Sequence, residues 1–107
     1  MLVHIVCWRY KAEIGEAAKE EHRNKLRALT GTIDSLRSLV IGSDILHLER
    51  SFDTGLVATF DDEAGLKEYT VHPEHQKVAA IGREISQQVV SVDFISDSGG
   101  EKANDFG

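Results

Sequence analysis

The sequence has one cysteine, one proline, one tryptophan and one methionine in 107 residues. A lone Cys7 has no partner for an internal disulfide, so it reads as a small strand hydrophobe in a reducing, cytoplasmic setting. No apolar run approaches the roughly 20 residues that a membrane helix needs. The first such run, Leu2 to Trp8, ends at Arg9 and lacks the charged start of a secretory leader. Cationic stretches are as short, none exceeding Arg9-Tyr10-Lys11, and the formal charge is −6. Both features argue against a nucleic-acid partner, which requires a clustered basic face. Also missing are a glycine-rich phosphate loop, a serine or cysteine nucleophile constellation and a paired-carboxylate site.

The composition that remains, 41% hydrophobic and 28% charged, is that of one globular domain. Residues 1–96 carry the patterned sequence. Residues 97–107, with Gly99-Gly100 and mostly polar neighbours, read as a flexible acidic tail that repays its ordering entropy poorly. So small a domain covers its apolar surface incompletely, and self-association is one remedy.

Leu2 to Tyr10 is β-branched and aromatic, which predicts a strand with both faces largely apolar. Its even positions are Leu2, His4, Val6, Trp8 and Tyr10; its odd positions include Val3, Ile5 and Cys7. From Gly15 to Thr30 the stripe Ala18, His22, Leu26, Leu29 and on to Ile33 predicts an amphipathic helix stopped by Gly31. Lys19, Glu20, Arg23 and Lys25 take its opposite face. Leu39 to Leu48 reads as a second strand, bent at Gly42-Ser43-Asp44, and Leu56 to Phe60 as its antiparallel partner. Asp61 or Asp62 caps the helix that follows. Pro73 breaks that helix at His72 and starts a new one running towards Gln88. Val89 to Ile95 is the last strand, with Val90, Val92 and Phe94 on one face.

The order βαββαβ is an α+β, ferredoxin-like arrangement in which an antiparallel sheet carries its helices on one face. The other face, apolar at Val3, Ile5 and Cys7, then needs a cover. A second copy of the same sheet is the simplest one, giving a homodimeric α/β barrel.

His4-Ile-Val, the run from Phe60 through Glu68-Tyr-Thr-Val-His72-Pro73-Glu-His75, and Val92-Asp-Phe94 together resemble the stress-responsive dimeric A/B barrel family. The likeness spans residues 1 to 95, and Tyr-x-x-His-Pro-x-His is its most specific part. It implies a homodimer with a pocket between each sheet and its own helices. Members include a plant polyketide cyclase that closes a ring by aldol condensation without a cofactor. That likeness implies catalytic roles for Tyr69 and His75 and a pocket position for His4. A further pocket histidine of that cyclase has no counterpart near Thr54, and residues 34–38 lack the Pro-Gly turn of many members.

Each candidate has a plainer alternative. His75, at the third position of the helix opened by Pro73, meets the positive end of the helix dipole, which favours a neutral imidazole able to accept a proton. The alternative is a histidine that only bonds the chain at the break. Tyr69 is either a donor to a developing enolate oxygen or a boundary aromatic. Trp8 and His4 face the helices and are candidate ligand contacts, with core packing as the alternative. His72 is a candidate contact too, or a structural residue of the helix junction. His4, His47, His72 and His75 do not make a recognised metal spacing, so no metal and no cofactor are expected. Three functions follow. The first is binding of a small apolar or carbonyl-containing molecule. The second is a cofactor-independent cyclase, lyase or isomerase using His75 and Tyr69, and the third is a cofactor-free monooxygenase.

Overall fold

The computed structural model describes residues 1–96; the expected tail lies outside them. The elements are β1 (Leu2–Tyr10), α1 (Glu16–Arg27), β2 (Ser38–Ser43), β3 (Thr54–Phe60), α2 (Glu63–Val71), α3 (Pro73–Ile85) and β4 (Ser86–Ile95). The four strands form one sheet in the order β2-β3-β1-β4, with every neighbouring pair antiparallel. This is the ferredoxin-like α+β fold, its second helix divided in two.

Strand alternation decides what lies between sheet and helices. Leu2, Val6, Trp8 and Tyr10 of β1 are buried together with Thr54, Leu56, Ala58 and Phe60 of β3. Leu26, Leu29 and Ile33, on and just after α1, close over them with Tyr69 and Val78. The opposite sheet face is open. Val40, Val57, Val92 and Phe94 are all exposed there, and the register aligns Val57 with both Val40 and Ile5, and Ile5 with Val92.

Three boundaries differ from the sequence reading. Helix α1 stops at Arg27, a turn before Gly31, because Leu29 N–H and Thr30 N–H donate to the carbonyls of Leu26 and Arg27 in tighter three-residue turns. Gly31, at φ 88°, still supplies the left-handed residue that redirects the chain. Strand β2 ends at Ser43 instead of continuing to Leu48: the Asp44 carboxylate accepts from His47 N–H at 2.7 Å, and His47 sits at φ 53°. That local turn competes with the strand ladder and wins. Strand β4 begins at Ser86, directly after α3, so the helix expected to run to Gln88 stops at Ile85. The polar face of α1 is also narrower than expected, since Arg23 is buried and donates to Thr54, Glu16 and Glu20.

Candidate functional site

A break between two helices places the two most distinctive side chains. Asp62 caps α2, its carboxylate accepting from Gly65 N–H at 2.9 Å. Seven residues later Tyr69 points into the core. His72 then turns extended (φ −63°, ψ 132°), and Pro73 takes the first position of α3, where its missing N–H is harmless. The His72 ring closes the junction: its Nδ1 accepts from Glu74 N–H at 3.1 Å. His75 is the third residue of α3, and its Nδ1–H donates back to the Thr70 carbonyl at 3.1 Å. That bond fixes the tautomer, leaving Nε2 as the lone-pair nitrogen.

Tyr69 and His75 are in ring contact, with centroids 4.3 Å apart. The His4 ring lies 6.2 Å from that of Tyr69. All three line one cavity of about 280 Å³ between the sheet and α3, together with the buried Trp8, Val6, Leu26 and Leu56. Thr70, Ala79, Arg83, Val89 and Ser91 complete the wall. A larger groove of about 410 Å³ runs between α2 and the end of β4, lined by Leu2, Leu66, Lys67 and Phe94 among others. The smaller cavity is the candidate site because it holds the imidazoles and the phenol.

Burial pushes the Tyr69 phenol up to about 12, so it stays a neutral donor through the physiological range. Its hydroxyl makes no hydrogen bond to any described residue. The His75 pKa is lowered, by burial first and then by the nearby His4, Arg83 and His72; the Thr70 carbonyl opposes this. His75 is therefore neutral at pH 7, with Nε2 able to take a proton.

His4 is held by an acidic neighbour that the sequence reading passed over. Its Nδ1 hydrogen-bonds to the Asp93 carboxylate across the β1–β4 ladder, where the two residues are register partners. The available signal was parity: Val92 and Phe94 face outward, so Asp93 must face the helices. Arg83, Thr70 and Ser91 were also not singled out. His72 does not line the cavity, and its ring serves the helix junction. Among the described residues no three His, Cys, Asp or Glu side chains converge as a metal site requires. Among those residues, too, no helix is long and apolar enough to cross a membrane.

A four-stranded antiparallel sheet with its helices on one face, an open apolar back and a cavity under the helix break defines a ferredoxin-like α/β-barrel protein. The chain belongs to the stress responsive A/B barrel domain family, whose profile matches residues 2–96. It is 24% identical over 93 residues to olivetolic acid cyclase of Cannabis sativa, covering 85% of this chain and 92% of that one. A dimeric ferredoxin-like protein of unknown function from Thermobifida fusca is similar at 27% identity and a TM-score of 0.79, over 87% of this chain and 88% of that chain. Hydroxynitrile lyase from Passiflora edulis shares the fold, with a TM-score of 0.82 at 16% identity over 94% of this chain and 96% of its own.

Proposed function

We propose that the protein is a homodimeric barrel whose cavity takes a small, largely apolar, carbonyl-bearing molecule, on which His75 and Tyr69 perform cofactor-independent acid–base chemistry. The observation that supports this is the joint placement of Tyr69 and His75 on one cavity wall, with the imidazole Nε2 unprotonated. In this reading Nε2 removes a proton from the carbon alpha to the carbonyl. The C–H electron pair moves into the enolate, and the Tyr69 O–H donates a hydrogen bond to the oxygen that gains charge. The enolate carbon then attacks a second carbonyl, as a cyclase requires, or is reprotonated, as in an isomerase. The match to a plant cyclase supports the first outcome.

A second reading is binding without turnover. It is favoured by the 1% exposure of Tyr69, which leaves a ligand little of the phenol to meet. A panel of linear β-polyketones separates the two. The enzyme reading expects turnover by the wild type, lowered about 10²-fold or more in both Tyr69→Phe and His75→Ala. It also expects the acid limb of the pH–rate profile to fall below pH 6.5, because the folded His75 pKa is depressed from that value. Rates at the buffer background in all three proteins leave the binding reading, and equal rates above it would remove Tyr69 and His75 from the chemistry.

A further inference from the structure

The charge lining the cavity runs against the charge of the chain. Acidic residues outnumber Lys and Arg by 18 to 12 overall, yet no carboxylate lines this cavity, whose ionisable walls are His4, His75 and Arg83 besides the phenol. Arg83 is exposed and, like Arg9 and Arg50, has no carboxylate partner among the described residues, whereas Arg23, Arg27 and Arg37 are each paired; of the three without one, Arg83 alone lines this cavity. Spacing explains its place. His75, Ala79 and Arg83 recur every four residues along α3 and so share one face of that helix.

The lining is thus graded in exposure across the sheet. Leu56 of β3 and its β1 partner Val6 are buried with Leu26, while Ser91, the partner of Val6 on the edge strand β4, is exposed, as is Arg83. A solvated arginine on a helix surface is common, but this one stands on the exposed part of a cavity whose lining holds no carboxylate, the Asp93 carboxylate being bonded to His4.

We infer that the cavity selects an aliphatic keto acid, with Arg83 as the specificity-determining residue that pairs with its carboxylate; the inference rests on the carbonyl-ligand reading above. The apolar tail enters towards Leu26 and Leu56, the carboxylate stays at the rim on the planar guanidinium, and the keto group lies between them beside His75. One guanidinium fork matches a carboxylate in two parallel bonds. Helix rise sets the spacing. Eight residues separate the α-carbons of His75 and Arg83 by about 12 Å, and the arginine side chain leans back towards the helix N-terminus. The carboxylate and the reacting carbonyl are therefore several bonds apart.

Trp8 is the one tryptophan of the chain and lines this cavity, so its fluorescence reports occupancy directly. The probes are 3-, 5- and 7-oxodecanoate, each with its methyl ester as the uncharged control, titrated into wild type, Arg83→Gln and Arg83→Lys. The expected result is that one or more acids bind wild type about tenfold tighter than the matching ester. Added salt should narrow the gap. Arg83→Gln should abolish the preference by weakening the acids far more than the esters, and Arg83→Lys should keep part of it. Equal affinity for acid and ester in the wild type, or a preference that survives in Arg83→Gln, would overturn the role of Arg83 and leave the cavity reading standing. Absence of quenching by every acid and every ester would overturn both.

Discussion

His22 and His75 are both kept neutral, one for the core and the other for the cavity. His22 is fully buried on α1, its Nδ1 2.8 Å from the Tyr10 hydroxyl, which donates to Thr54 Oγ at 2.9 Å. Nδ1–H therefore donates to the tyrosine oxygen, and Nε2 keeps a lone pair with no hydrogen-bond partner among the described residues. Burial, aided by the Arg23 charge, lowers the His22 pKa from 6.5 to about 4. Between those values the unfolded chain binds a proton that the folded chain refuses, so stability falls as pH drops through that window. The loss reaches on the order of 3 kcal/mol at most. Urea denaturation across this range should show a shallower pH dependence in His22→Asn than in wild type; parallel curves would refute the assignment. The helical spacing of His22 with Leu26 predicts its inward face, and that much is legible in sequence. The bond to Tyr10 is not, since it depends on how α1 lies against β1.

Helix α3 shows what its own pattern could and could not disclose. The break at His72 follows from Pro73 alone, because proline restricts the residue before it and suits a first helical turn. Gly82 carries no such signal. A Cβ there would lie 2.8 Å from both His22 Nε2 and Trp8 Nε1, so glycine is what lets α3 approach α1 and β1 this closely. Alanine would gain roughly 1 kcal/mol of helix propensity. Forcing two packed rings apart costs about 1–3 kcal/mol. The rings are buried and cannot swing clear, so Gly82→Ala should be net destabilising by about 1 kcal/mol, measured as a lower urea midpoint. A higher midpoint would mean that the helices separate freely. The early end of β2 was hidden for a related reason: Ile45 and Leu46 look like strand residues, but the Asp44 turn and the left-handed His47 divert the chain, leaving both exposed.

At the scale of the whole molecule, the period-two pattern of β1 disclosed both layers: one face meets the helices, and the other awaits a cover. Val57 stands on that outer face, in register with Ile5 and Val40. If a second copy covers it, the wild type should sediment as a dimer at micromolar concentration and Val57→Asp should shift it to monomer, since an aspartate buried without a partner is strongly unfavourable. A wild-type monomer would contradict that cover. The cavity was less legible than the fold. Tyr69 and His75 were marked by their motif and His4 by its strand face, whereas Arg83 and Asp93 carried only the weaker signals of helix spacing and strand parity, and what they meet depends on the seating of α3 and the register of β4. The proposed function requires that His75 Nε2 and the Tyr69 hydroxyl act on the same bound carbonyl compound. Its most direct measurement is deuterium wash-in from D₂O at the alpha carbon of a linear β-polyketone, followed by NMR. Wash-in above the buffer rate is expected with wild type, falling to the buffer rate in His75→Ala and strongly reduced in Tyr69→Phe. Wash-in at the same rate with all three proteins would contradict it.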